Sequence, residues 1–447
     1  MKVALVGGGG FRTPLVEEAI ARTTGEVVDE LVLHDRDERR LARISEVLEG
    51  RKRERGDGPR VRTTSRLEDA VEGAGAVLVA VRPGGLAARI VDERVPLDVG
   101  VLGQETVGPG GIAFALRTVP VVVAIAEAVR ERAPGAWLLN FTNPAGIVTE
   151  AGRSILGERA IGICDSPAAL WRHVVSAVDA PTAWGPAYVG LNHLGWLTSA
   201  RDGDRDVLAA LLDDPRVAEV HEVALEGLDA VRTSGAIPNE YLVYYSSTEE
   251  IARAFGRDGS RGAILAKQQA RFYDREPSSP AGALAAWREA KDERHATYLA
   301  EARGSGSDVP TAHAPTDLSD DELGYGGVAA ELLRAIAGGG DTHAILGVRN
   351  DGVVPWLDDD ATIEVACDVT SSGLAVADVG DVDGARRALV ERVRDAERAT
   401  LRAAFDPSRE RILDAIAAHP LVPSRADAER IVDGYLTHHA WMRELVA

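Results

Sequence analysis

The chain has 447 residues, 45% of them hydrophobic and 27% charged, with a formal net charge of −20 at pH 7. That length supports a large core shared by two packed lobes. The acidic balance disfavours a nucleic-acid or anionic-membrane partner, and an anionic ligand would need a basic pocket of its own. Cys164 and Cys367 are the two cysteines, so no disulfide framework is expected; no apolar run reads as long enough to cross a bilayer, and a start directly on a strand pattern, without a secretory segment, points to a cytoplasmic protein.

In chain order, Val3 to Val6 is a short apolar run ending in four glycines and reads as a buried strand. Thr13-Pro14 opens a helix, with Thr as cap and Pro in the first turn. Leu31 to Leu33 is the next strand and stops at Asp35; residues 37–50 are helical. Strands follow at 76–81, 137–140 and 160–164, with a helix at 117–132. Short apolar strands separated by helices predict a doubly wound parallel α/β sheet of the Rossmann type. The second half is less regular. Residues 208–231, 281–301, 383–405, 410–419 and those after 426 read as helices, and 362–369 as a strand. Residues 304–322, rich in Gly, Ser, Pro and Asp, read as a long loop. The division expected is 1–165 for a dinucleotide domain and 166–447 for a mixed α+β substrate, metal and oligomerisation domain.

Gly7, Gly8, Gly9 and Gly10, then Phe11 and Arg12, lie between a strand and a helix. Glycines there let the backbone turn tightly and approach a pyrophosphate held at the helix N-terminus. Arg12 stands where the usual fingerprint has its third glycine. Asp35 closes the second strand at the distance where an acid grips a ribose diol, which favours NAD over NADP. Polar residues cluster where the strands end: Arg82 and Gly84, then Asn140 to Pro144, then Cys164-Asp165. Ligands of open α/β sheets bind outside the carboxyl ends of the strands, so these segments should converge on one crevice. Asn192-His193 follows a further apolar stretch. Cys164 and His193 suit a catalytic metal such as Zn, Mn, Fe or Ni with open positions for substrate, although a buried cysteine and a lone histidine are commonly structural. Arg89, Arg94 and Arg261 are candidates for an anionic group, against surface ion pairing as the alternative. Tyr241 could serve as a base only if a nearby cation lowered its ordinary pKa; otherwise it belongs to an aromatic patch with Tyr244 and Tyr245.

The segments GGGGFRTP, RPGGLAARIVDERVPL, GVLGQETVGPGGIAFALRTVP, NFTNPAGIVTEA, IGICDSP, GLNHLGW, IPNEYLVYY and HPLVPS stand in that order along the chain. Together they resemble glycoside hydrolase family 4, the NAD- and manganese-dependent glycosidases, and within it the 6-phospho-β-glucosidases. The resemblance implies a lactate/malate dehydrogenase-like fold and a reaction in which NAD⁺ takes hydride from sugar C3. A tyrosine, matched by Tyr241, removes the C2 proton; the aglycone leaves, water adds, and hydride returns. The usual carboxylate pair is not needed, this family being an exception. It also implies Cys164 and His193 as ligands of Mn²⁺ or another divalent metal, and Asn140, Asn143 and Asn192 near substrate. Arg82, Arg89 and Arg261 are implied for cofactor, substrate or phosphate contacts, within a homodimer or homotetramer. Asp165 departs from the subgroup, which carries Asn there; the family's 6-phospho-α-glucosidases have Asp, which can protonate the leaving group. Residues 304–325 also depart from the subgroup's glycine-tyrosine pattern. A 6-phospho-α-glucosidase, an unphosphorylated glycosidase of the same family, a simple NAD-dependent dehydrogenase and an NAD-responsive binding protein therefore stay open as alternatives.

Overall fold

The computed structural model describes residues 1–181, 185–258, 260–276, 279–296, 324–377, 379–380 and 382–447. The expected loop at 304–322 and the end of the helix expected at 281–301 lie outside them. Six parallel strands, β1 (Lys2–Val6), β2 (Glu30–His34), β3 (Arg60–Thr64), β4 (Ala76–Val79), β5 (Trp137–Asn140) and β6 (Ala160–Gly162), are ordered β3-β2-β1-β4-β5-β6. This is the strand order of a doubly wound dinucleotide fold, as expected. The sheet then continues through antiparallel strands. These are β7 (Gly185–Leu191), β8 (Leu194–Asp202), β9 (Arg205–Asp206), β10 (Ile237–Pro238), β11 (Thr342–Arg349), β12 (Thr362–Thr370) and β13 (Gly373–Val376). The order beyond β6 is β11-β12-β7-β8-β10, with β13 on β12 and β9 on β8.

Alternation along the parallel strands explains why they read as unbroken apolar runs. Val3 and Leu5 of β1 join the core on one face, with Leu31, Leu33 and Leu78, under the helices Thr13–Thr23 and Glu38–Arg55. Ala4 and Val6 join the core on the other face, with Val32, Val77 and Val79. Both faces of the sheet are buried, as a parallel sheet requires.

Several boundaries differ from expectation for identifiable reasons. β3 was not foreseen because it is a largely exposed edge strand of sequence RVRTT, with little apolar signal. β4 and β6 are two residues shorter than expected, since the chain leaves the sheet into the ligand-facing loops. Arg12, not Thr13, is the cap residue of the first helix, and no side chain caps it. Residues 84–117, dense in glycine and without an expected element, contain the helix Gly85–Asp98, and the helix expected from Arg117 begins at Gly108. Its glycines are packing residues: a Cβ at Gly110 or Gly111 would strike the backbone of Gln104 or Thr106. The expected helix at 208–231 is broken into short turns of helix, with Pro215 and Gly227 at the breaks.

Gly108–Arg132 corrects a further expectation, because by length and composition it could cross a membrane. It is instead mostly buried within the fold. Val122, Ile125 and Val129 pack on the parallel sheet. Ile112, Leu116 and Val119 pack on the C-terminal helices through Ile412, Ile416, Ile431 and Val432.

The long helix Gly384–Phe405 is tied to the helix Ala145–Leu156 through Arg394, whose guanidinium bonds Glu150 at 2.6 and 3.0 Å and Asp358 at 2.7 and 2.8 Å. Glu397, beside them, is buried. Burial, opposed by Arg394 and reinforced by Glu150, raises its pKa to about 7. A carboxyl whose folded pKa is raised favours the fold while protonated. That contribution is complete below its ordinary value near 4.5 and is lost as pH rises through 7. Glu397→Gln should therefore gain stability relative to the unmodified protein between pH 5 and pH 8, on the order of 1–3 kcal/mol. Denaturant unfolding at the two pH values measures this; a difference between the two proteins that stays constant with pH contradicts it.

Candidate functional site

The carboxyl ends of β1, β2, β4, β5 and β6 open into one cavity of about 1060 Å³, whose walls include Gly7, Asp35, Arg82, Asn143, Cys164 and His193. At one end is the glycine turn. Gly7 has φ +93° and lies against the Ala80 carbonyl, so no Cβ fits there. The N–H groups of Gly7 and Gly8 both donate to the His34 carbonyl at 2.8 Å. The Gly9 N–H donates to Asp35 Oδ2 at 3.1 Å, while Asp35 Oδ1 accepts from the Asp37 N–H at 3.1 Å. The acid that ends β2 is thus fixed beside the turn, with its outer edge toward the cavity. The Gly9 carbonyl accepts from Tyr273 Oη at 2.8 Å, and the Arg40 guanidinium lies 4.0 Å over that tyrosine ring. This cradle, closed to any side chain at Gly7, fits a pyrophosphate–ribose unit such as that of NAD. Phe11 is largely core: its ring meets Phe272 edge-on at 5.5 Å, and its carbonyl accepts from Trp287 Nε1 at 2.9 Å.

Arg12 leaves the turn toward Asp165, with Nη1 3.4 Å from Oδ2 and both side chains about one-third exposed (34% and 35%). Asp165 begins the helix Asp165–Ala177 directly after Cys164.

Cys164 and His193 are both buried and both face the cavity. Burial, with Glu364 and Asp165 nearby, pushes the Cys164 thiol well above its ordinary range, partly offset by Ser166. Burial lowers the His193 pKa to about 4, so the imidazole is neutral at pH 7. Its Nδ1 is buried without a hydrogen-bond partner. A neutral imidazole with an orphaned nitrogen and a buried thiol, both on one cavity wall, are the donor chemistry of a metal site. Among the described residues no three His, Cys, Asp or Glu side chains converge on one point. Two protein donors leave coordination positions open, as a catalytic metal needs. The Tyr241 ring stacks on His193, centroids 3.7 Å apart and planes 1° from parallel. Burial first, then Glu240 and Tyr244, hold the phenol well above its ordinary pKa.

Arg82 and Arg89 converge on Glu105, which ion-pairs with Arg82 Nη1 at 2.6 Å and Arg89 Nη1 at 2.8 Å. Arg89 also bonds Glu93 at 2.7 Å. Burial works against the Glu105 charge, yet the two guanidiniums hold its pKa at about 2. Arg94, by contrast, is a surface residue beside Asp98. Arg261 is buried, reaches the cavity, and donates to the Arg294 carbonyl at 3.2 Å.

Two candidates point elsewhere. Asn140 is fully buried. Its amide nitrogen donates to the Thr142 carbonyl and Thr149 Oγ1, both at 3.0 Å, and its oxygen accepts from the Thr142 N–H at 2.9 Å. Asn192 spends its side chain on the Ala145 N–H and on Glu364. Both therefore shape the loops that carry Asn143 and His193, and neither lines the cavity. Sequence reasoning passed over Glu105, Arg294 and Glu364. An acid inside the apolar, glycine-rich stretch LGQETVGPGG was a usable signal for the first; the others have none in the local sequence.

Residues 2–180 match the family model described as Family 4 glycosyl hydrolase, and residues 188–422 match that of its C-terminal domain. A probable 6-phospho-β-glucosidase of Bacillus subtilis is 30% identical, over 98% of this chain and 96% of that protein. A maltose-6′-phosphate glucosidase of the same organism is 27% identical, over 96% and 94%. Among solved structures, the 6-phospho-β-glucosidase of Thermotoga maritima with manganese, NAD⁺ and glucose 6-phosphate superposes with a TM-score of 0.80. It is 26% identical, over 100% of this chain and 99% of that one.

The tightness of the turn gives a test. A Cβ at position 9 would lie 2.8 Å from Asp35 Oδ2. Gly9→Ala should therefore displace the carboxylate and weaken NAD⁺ binding by about tenfold or more, a difference of about 1.4 kcal/mol, read by isothermal titration. Unchanged affinity would remove the turn from the cofactor site.

Proposed function

The chain belongs to family 4 of the glycosyl hydrolases, and from that premise we propose that it hydrolyses 6-phospho-β-glucosides by NAD-dependent oxidation at C3, elimination, water addition and re-reduction. The observation that carries the reading is the convergence of the glycine turn, the Cys164/His193 pair and Tyr241 on one cavity. When bound, NAD⁺ supplies the hydride acceptor and donor, and a divalent cation such as Mn²⁺ supplies positive charge beside the C2 and C3 oxygens.

The chain's own residues do the rest. Residues 1–165 hold the dinucleotide through Gly7, Gly8, Gly9, Arg12 and Asp35, with Arg82 toward the cavity centre; residues 166–447 complete the substrate side. Cys164 and His193 are the residues that would hold such a cation. Tyr241 accepts the C2 proton, its ring being stacked on that of His193 in the same cavity. Positive charge near that phenol is needed to make it a base, because its present surroundings favour the protonated form. Arg89 and Arg261 offer guanidiniums to the anionic end of the substrate, inside a protein whose net charge is strongly negative. Asn143, in the loop after β5, faces the same space.

Asp165 favours a second reading, a 6-phospho-α-glucosidase. It lines the cavity directly after Cys164, the resemblance assigns a carboxyl there to protonating the leaving oxygen, and relatives named for both anomers align along nearly the whole chain. The deciding assay pairs p-nitrophenyl β- and α-glucoside 6-phosphates with their unphosphorylated counterparts, with and without NAD⁺ and Mn²⁺, following nitrophenol and NADH together. Release that needs both cofactors without net NADH, faster on the β-phosphate, is the expected result. Faster release from the α-phosphate moves the assignment to the second reading, and stoichiometric NADH without release moves it to a dehydrogenase. Tyr241→Phe should lower kcat by about 10²–10⁴-fold, the range of a lost general base. Activity kept by that variant would remove the tyrosine from the chemistry.

A further inference from the structure

His193 occupies an unusual place in the backbone. β7 and β8 form a hairpin in which Leu191 pairs with Leu194, leaving a two-residue turn of Asn192 and His193. Only the second of these has positive φ, +62°. The two-residue turns that suit strand twist place positive φ at both turn residues or at the first. The position His193 takes ordinarily belongs to Gly or Asn. A histidine takes this left-handed conformation less readily than Gly or Asn, and it is held there by its surroundings.

The surroundings do so through the preceding side chain. Asn192 Oδ1 accepts from the Ala145 N–H at 3.0 Å, and its Nδ2 donates to Glu364 Oε1 at 2.8 Å. Glu364 lies on β12 opposite Gly190, two residues before the turn, and is 3% exposed. The clasp therefore joins three segments: the loop after β5, the β12 strand, and the turn that aims His193. Neither Asn192 nor Glu364 lines the cavity.

We propose that Asn192 and Glu364 are positioning residues for the metal site, holding the turn so that the His193 imidazole meets the cation beside Cys164. The inference rests on the metal reading given above. It is tested by Mn²⁺ binding, read by electron paramagnetic resonance in the presence of NAD⁺, with NAD⁺ affinity and thermal unfolding measured on the same samples. Glu364→Leu removes the acceptor and should weaken Mn²⁺ binding by about 10–100-fold while NAD⁺ affinity holds. Glu364→Gln keeps an oxygen acceptor for Asn192 and should bind Mn²⁺ like the unmodified protein. Asn192→Ala opens the clasp from the other side, without altering β12, and should match Glu364→Leu. Unweakened Mn²⁺ binding by either folded opening variant overturns the proposal, as does a Gln variant as weak as the Leu variant. An unmodified protein that binds no Mn²⁺ overturns the metal reading itself, and the clasp with it.

Discussion

The parallel and antiparallel halves of the sheet are joined where β6 meets β11, and the contact is a single pair of glycines, Gly162 opposite Gly347. A Cβ on Gly347 would lie 3.2 Å from the Gly162 Cα, and one on Gly162 would lie 2.8 Å from Thr149 Oγ1. A side chain at Gly347 would press on the β6 backbone, and one at Gly162 would strike the helix Ala145–Leu156. Cys164 leaves the sheet two residues after Gly162, whereas His193 belongs to a hairpin joined to that junction within the sheet through β12 and β11, and outside it through the bond from the Ala145 N–H to Asn192. The relative placement of thiol and imidazole thus depends both on how closely two backbones approach at a point neither residue touches and on the clasp of Asn192.

Charge is organised on the same logic. The molecule is acidic as a whole, yet Arg12, Arg82, Arg89, Arg261 and Arg294 all reach the cavity. Arg82 and Arg89 are held by Glu105 and Glu93, and Glu93 also accepts from the Gly262 N–H at 2.8 Å. Buried guanidiniums without such partners would carry a large desolvation penalty. Held this way they are fixed donors rather than mobile ones, which is what the proposed recognition of an anionic sugar in an acidic protein asks of them.

The sequence was legible where burial is two-sided and local. β1, β2, β4 and β5 are short apolar runs, and the glycine turn with Asp35 follows a spacing set by the geometry of dinucleotide binding. It was misleading where glycine serves close packing, as at Gly108 to Gly111, because a breaker and a packing residue look alike without the neighbouring chain. β3 failed to stand out because an edge strand exposes polar residues. The clasp of Asn192 and Glu364 spans 172 residues, and the bond from Gly262 to Glu93 spans 169, separations at which no local pattern survives. Asn140 and Asn192 were legible as important but not as what they are, since an amide that ties down a loop and one that meets a ligand have the same letter.

In the proposed site, Cys164 and His193, set by the glycine junction and the clasp of Asn192, are the two protein donors to one cation. The most direct measurement is an anomalous difference map at the manganese edge, from crystals grown with NAD⁺ and Mn²⁺. The account predicts a peak in the cavity within about 2–2.5 Å of both Cys164 Sγ and an imidazole nitrogen of His193, by analogy with transition-metal distances to these donors. A peak held by other side chains, or one touching neither residue, would contradict it.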